Sequence, residues 1–468
     1  MIIGRKQEIS TIKEVCERDE SQFVVVYGRR RVGKTYLVRE VFNNKFTFQY
    51  SGVANVSNST QLSEFHRALI NQGLKTNEPV KDWFDAFYQL FQLIEQSKDK
   101  KKIVFIDEMP WMDARNSNFV TALENFWNAY ATRRKDVVLV VCGSATSWII
   151  KKVFRNIGGL YGRVNRRIYL RPFTLKECEE YALSRKLHLN REEIMEAYMI
   201  LGGVAYYWSL LNPSKSLTQN IDSLIFSQEG ELRHEFSIIY ESMFSSPESY
   251  INVVKTLGGK KAGMTREEII KRGKLVDNGG LSTVLKELDS CGLIRKYMPL
   301  LNKNKDTIYQ LIDNFTLFHF HFISKMTEGE NWSQLQQKPA YNTWCGLAFE
   351  RLCLLHIEII KEVIGINKIS CGVYSWTWKG DDEYPGCQID LVIDRSDNVI
   401  NLCEIKYSKK PFVVSKKTDM EIRTKASIFE GKTKTRKAVR SVLITANGLV
   451  RNPYSDGIPD KVDANDFF

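Results

Sequence analysis

The chain has 468 residues, 43% hydrophobic and 12% aromatic, which excludes a disordered protein and exceeds one ordinary core. Lysine and arginine number 67 against 55 aspartates and glutamates; the net charge of +12 points to a polyanionic partner, nucleic acid before an acidic membrane. Its nine scattered cysteines form no Cys-x-x-Cys pair, so free thiols in a reducing cytoplasm are expected rather than a disulfide frame or a zinc site.

The first third alternates strand-like and helix-like stretches. A helix is expected over residues 7–18, then a strand over 23–27 and a second helix after Lys34. Further strands are expected at 46–50, 103–106 and 137–142, with helices at 60–72, 83–96 and 119–131. This alternation predicts a parallel sheet covered on both faces. From Leu175 the pattern is helical, as in a lid over the sheet domain. Thr265-Arg266-Glu267-Glu268 has capping-box spacing, and Leu281, Val284, Leu285 and Leu288 share one helical face. Strands at 293–297 and 307–312 follow, around the polar turn 302–305. Helix, helix and hairpin in that order predict a winged helix-turn-helix. The expected divisions are 1–174, an α/β core; 175–248, a helical lid; 249–326, the winged helix; 327–340, a polar linker; and 341–468, an α/β domain. No run approaches the ~18 apolar residues of a membrane span, and Met1-Ile2-Ile3-Gly4-Arg5-Lys6 carries charge too early for a signal peptide.

Gly28-Arg29-Arg30-Arg31-Val32-Gly33-Lys34-Thr35 lies between a strand and a helix. This is a phosphate loop in its required setting. The glycines let the backbone bend around phosphates, Lys34 supplies a cation for the β- and γ-phosphates, and Thr35 offers a hydroxyl to Mg²⁺. ATP and Mg²⁺ are the expected ligands. The apolar strand 103–106 runs into Asp107-Glu108. Asp107 is expected to hold Mg²⁺ through water, and Glu108 to orient and deprotonate the attacking water. The third strand ends in Gly143-Ser144, where Ser144 either contacts the γ-phosphate or belongs to an ordinary turn.

These residues resemble the prokaryotic archaeal-type ATPases of the AAA+/STAND-like group. The resemblance rests on Ile3-Gly4-Arg5, the arginine-rich phosphate loop, Phe-Ile-Asp-Glu, Cys-Gly-Ser, Leu160-Tyr161-Gly162-Arg163 and Leu201-Gly202-Gly203-Val204. It implies that Gly4 and Arg5 lie near the adenine. It makes Arg163 a candidate arginine finger, in cis or across a contact between copies; a salt-bridged arginine near a helix end is the alternative. The job of Arg29, Arg30 and Arg31, local positive potential or a partner contact, stays open.

In the last domain, residues 387–394 and 401–407 read as neighbouring strands. Alternation puts Glu404 and Lys406 on one face, and Gln388 and Asp390 likewise share a face. Asp390 and Glu404 are expected to converge on one divalent cation, with Glu350 from the preceding helix aimed at the same metal. Lys406 would position water or stabilise developing charge. Asp…Glu-x-Lys after a helical Glu resembles the PD-(D/E)xK nuclease superfamily, which implies a restriction-endonuclease-like fold and Mg²⁺-dependent DNA cleavage. Trp376 and Trp378 either stack on bases or pack. Lys409, Lys410, Lys416 and Lys417, and later Lys432, Lys434, Arg436 and Lys437, either follow a phosphate backbone or form a solvated face. His319 and His321, amid phenylalanines, read as packed. The expected function is an ATP-hydrolysing, DNA-associated protein with a nuclease-like tail. The alternative is a nucleotide-controlled switch whose tail only binds DNA or protein.

Overall fold

The computed structural model describes residues 2–76, 78–155, 158–244, 246–300 and 307–468. The expected wing turn, 302–305, lies outside them. The chain divides into two compact units, Met1–Pro172 and Phe173–Phe468.

In the first unit the strands are β1 (Gln22–Tyr27), β2 (Phe48–Ser51), β3 (Lys102–Asp107), β4 (Val137–Gly143) and β5 (Arg166–Tyr169). They form one sheet in the order β2-β3-β4-β1-β5, and every pairing is parallel. Both faces are buried, as crossover helices require. Phe23 and Val25 join one apolar cluster. Val24 and Val26 join the other, with Ile12 and Val15 of the helix Lys6–Glu17 and with Leu37 and Val38. Since β4 separates β1 from β3, the ends of three strands stand side by side.

The second unit begins with helices Leu175–Ser184 and Arg191–Leu201, each opened by a capping box. Helices Pro247–Gly258, Arg266–Gly273 and Gly279–Ser290 follow. Between and after them run β6 (Met264–Thr265), β7 (Ile294–Tyr297) and β8 (Ile308–Leu311), in the order β6-β8-β7 and antiparallel. The Thr265–Glu268 capping box forms, and Leu281, Val284, Leu285 and Leu288 are buried.

The C-terminal strands are β9 (Cys371–Trp378), β10 (Cys387–Arg395), β11 (Val399–Lys406), β12 (Phe412–Val413), β13 (Ala438–Thr445), β14 (Leu449–Val450) and β15 (Asp460–Asp463). Five of them form a mixed sheet, β15-β13-β11-β10-β9, and β12 pairs with β14. Leu391, Ile393, Cys403 and Ile405 face the helix Pro339–Leu355 through Phe349, Leu352 and Cys353. Ile389, Val392, Ile400 and Leu402 face the helix Lys416–Thr433 through Ile428 and Phe429.

Residues 327–340 are not the polar linker that their composition suggests. Trp332 has no solvent exposure and packs edge-on to Phe318, Phe322, Tyr341 and Trp344. One apolar cluster runs continuously from Phe173 to Phe467. Residues 175–248, the helix–hairpin segment and the tail therefore share one core. The polar residues around Trp332 concealed one aromatic anchor large enough to seal that core.

Candidate nucleotide site and two carboxylate centres

The phosphate loop joins β1 to the helix Lys34–Val41. Gly28 has φ 142°, and a Cβ there would lie 2.4 Å from the Leu170 carbonyl oxygen. Glycine is therefore required by both backbone angle and space. Gly33, at φ 94°, precedes the first helical turn. Lys34 is buried and folds back over the loop, donating to the carbonyls of Gly28 at 3.0 Å and Arg29 at 2.9 Å. Arg29 is buried with it, while Arg30 and Arg31 are half-buried.

The Thr35 hydroxyl donates to Asp107 Oδ2 at 2.7 Å. The Glu108 N–H donates to Asp107 Oδ1 at 3.0 Å. Ser144 donates its N–H and its hydroxyl to Glu108 Oε2, at 3.2 and 2.9 Å. One hydrogen-bonded chain thus crosses the ends of three neighbouring strands. Burial raises the Asp107 carboxyl, against the opposing pull of its hydrogen bonds and of Lys34. The Thr35 hydroxyl and Asp107 carboxylate are hard oxygen donors side by side, and this donor set fits Mg²⁺. Gly4 and Arg5 both take positive φ, 60° and 56°, and turn the chain into the helix Lys6–Glu17 with Arg5 buried. Arg163 is exposed, its N–H bonded to the Leu160 carbonyl at 3.1 Å. It takes no part in the hydrogen-bonded chain from Thr35 to Ser144.

In the tail, Asp390 and Glu404 do not converge. On its β9 side, β10 pairs Ile389 with Trp376 but Val392 with Tyr374. Asp390 and Leu391 together oppose Ser375, which is a β-bulge, and a bulge re-aims a side chain. Asp390 turns toward the helix Pro339–Leu355 and lines a small cavity with Glu350, Ser375, Gln388 and Lys261. Glu404 keeps the regular alternation with Ile400 and Leu402 and faces the helix Lys416–Thr433. There it pairs with Lys406 at 2.8 Å and Lys425 at 2.7 Å. Among the described residues, no three of His, Cys, Asp and Glu gather as a metal-binding group.

Glu350 is the more unusual acid. Burial first, then the Asp390 carboxylate, push it up to about 7, against the pull of Lys261. Lys261, just before β6, reaches Glu350 Oε1 at 2.5 Å and Asp390 Oδ2 at 3.1 Å. The sequence drew no attention to Lys261; its only signal is the turn Gly258-Gly259-Lys260-Lys261-Ala262-Gly263.

Other candidates resolve into packing or pairing. Trp376 meets the Phe429 ring at 5.1 Å, and His319 stacks on Phe236 at 4.1 Å. Lys432 pairs with Asp381 at 2.6 Å and Lys437 with Asp394 at 2.6 Å, whereas Lys410, Lys416 and Lys417 are exposed. No helix among the described residues is long and apolar enough to cross a membrane.

Residues 2–211 match a family described as an ATPase domain predominantly from Archaea. The Methanocaldococcus jannaschii protein MJECL04 is 25% identical over 417 residues, 87% of this chain and 88% of that protein. Among solved structures, a Walker-type ATPase of Pyrococcus abyssi is 16% identical, with a TM-score of 0.46, over 68% of this chain and 96% of its own. The ORC2 protein of Aeropyrum pernix is 13% identical, with a TM-score of 0.42, over 68% and 92%. The phosphate loop, the parallel sheet and the family match agree: residues 2–211 match an archaeal-type ATPase domain and carry the P-loop α/β fold that binds nucleotide.

Proposed function

We propose that the chain is a DNA-associated ATPase in which Glu108 is the general base and Ser144 reports its position. The observation that carries this reading is the unbroken chain Thr35–Asp107–Glu108–Ser144. In it, residues 28–35 cradle the phosphates, Lys34 neutralises their charge, and Thr35 with Asp107 would hold Mg²⁺. Bound there, Mg²⁺ would supply charge neutralisation at the phosphates. Released from Ser144, Glu108 would turn toward a water. Gly4 and Arg5 would lie near the adenine, and Arg163, being exposed, is available as a finger.

DNA as partner draws support from the net charge of +12 and from the segment 247–311, read as a winged helix. The outer face of its helix Gly279–Ser290 presents Ser282, Thr283 and Lys286, with Lys271, Arg272 and Lys274 exposed on the approach. The test is steady-state ATP hydrolysis by the full chain with and without duplex DNA, for wild type and Lys34→Ala. Turnover that responds to DNA and vanishes in Lys34→Ala is expected. DNA binding indifferent to salt would overturn the DNA part, because phosphate contacts weaken steeply with salt.

A second reading, a metal-dependent nuclease tail, is favoured by Glu350 and Asp390 sharing one cavity. These two carboxylates are hard oxygen ligands that fit a divalent cation. Glu404 and Lys406 form a separate pair on the opposite face of the sheet. DNA cleavage with Mg²⁺ or Mn²⁺ decides it; equal residual cutting by wild type and Asp390→Asn would remove the reading.

A further inference from the structure

The strongest feature outside the nucleotide site is the contact between Lys261 and the paired acids of the tail. The ammonium sits 2.5 Å from Glu350 and 3.1 Å from Asp390, bridging carboxylates contributed by two different elements. A divalent cation shared by those carboxylates would need the same space and supply the same sign of charge. The pocket also contains an unsatisfied group. Glu350 is only 8% exposed, and its Oε2 has no hydrogen-bond partner among the described residues. A buried carboxylate oxygen facing a cavity without a donor is costly. Lys261 meets Oε1 of Glu350 and leaves Oε2 without a hydrogen-bond donor. Gln388 holds the other Asp390 oxygen at 2.6 Å and fixes that carboxylate in the cavity.

The lysine is delivered by a defined piece of backbone. Its carbonyl accepts from Gln310 Nε2 at 2.7 Å and from the buried Arg351 guanidinium. The next carbonyl, of Ala262, accepts from the Tyr297 hydroxyl at 2.7 Å, which also meets Ser375 of the tail sheet at 2.5 Å. Gly263 has φ +79°, and a Cβ there would lie 2.6 Å from the Tyr309 carbonyl oxygen. The segment 259–263 is thus a shaped turn tied to the β7–β8 hairpin through Gln310 and Tyr297. Displacing the hairpin displaces the lysine.

We propose that Lys261 is a built-in competitor of a divalent cation for Glu350 and Asp390, so that the tail accepts metal only when segment 259–263 withdraws. The inference rests on the reading of Glu350 and Asp390 as cation ligands and adds its control.

The test is Mn²⁺ binding to the nucleotide-free full chain, followed by the electron paramagnetic resonance signal of free Mn²⁺. Lys261→Gln keeps a hydrogen-bond donor but removes the charge. It should bind one Mn²⁺ at least tenfold more tightly than wild type, and the gain should disappear when Asp390→Asn is added. Gln310→Ala leaves the lysine in place and removes one of its two backbone anchors. It should give a smaller gain in the same direction, and it serves if Lys261→Gln fails to fold. If wild type and these variants bind an Asp390-dependent ion equally well, the plug is wrong and the cation site stands. If none of them binds an Asp390-dependent ion, the cation reading falls and the competition with it.

Discussion

Ser144 gives both its N–H and its hydroxyl to a single oxygen of Glu108. The proposed general base is thus tethered to the end of the strand between β1 and β3. Glu108→Gln keeps an acceptor for both donors and so keeps the fold of the site. It should bind ATP within about threefold of wild type while the hydrolytic step slows roughly 10²–10⁴-fold, the usual worth of a positioned base. Fluorescent-nucleotide titration and single-turnover hydrolysis separate the two quantities. Normal turnover would exclude Glu108 as the base.

Lys34 donates its ammonium to the carbonyls of Gly28 and Arg29. Lys34→Ala therefore removes both the proposed phosphate cation and a brace of the loop. A loss of about 2–5 kcal/mol in ATP binding is expected, the cost of deleting one partner of a close charge pair. Calorimetric titration reads it, and unchanged affinity would contradict the folded-back geometry.

His356 bridges distant parts of the second unit. Its Nε2 accepts from the Leu175 N–H at 3.0 Å while its Nδ1 faces the Leu352 carbonyl at 2.9 Å, so the ring is neutral with Nδ1 as donor. Burial lowers its pKa to about 4. Between about 6.5 and 4 the unfolded chain takes up a proton that the folded chain refuses, so stability is intact above that window and lost as pH falls through it. The full loss is about 3 kcal/mol for a shift of this size. Urea unfolding at pH 7 and pH 4.5 should show it, and His356→Gln should flatten that acid limb. An acid limb identical in the variant would assign the loss elsewhere.

Trp332 fills the meeting point of the aromatic cluster. Trp332→Ala should cost about 3–5 kcal/mol, as for large-to-small changes in closed cores. It should also lower the unfolding midpoint of lid and tail together, because they share one core. Two separate transitions in the wild type would refute that shared core.

The first unit could be read from the chain because β1, β3 and β4 each carry their own signal. Four or more consecutive apolar residues, a glycine-rich turn and Asp107-Glu108 are local patterns, and parallel sheets enforce them on both faces. Element bounds slipped where propensity is weak; β2 begins at Phe48 rather than Phe46. The tail failed for a different reason. The expectation that Asp390 faces Glu404 assumes unbroken alternation, and an inserted residue reverses parity without changing composition. Lys261 could not be found at all, since its partners lie 89 and 129 positions away and nothing local marks it. The linker at 327–340 misled because its polar majority hid a single tryptophan.

The bulge at Asp390 and Leu391 has a consequence for the electrical state of the tail. By turning one acid through the sheet, it divides the negative charge into two compartments separated by the thickness of a β-layer. Each compartment carries its own lysine counter-ions, Lys261 on one side and Lys406 with Lys425 on the other. These acids are therefore neutralised from within, and on the proposed reading a cation must first evict a lysine. On that reading, affinity for metal would be set as much by how the chain holds its own positive charges as by the acids themselves.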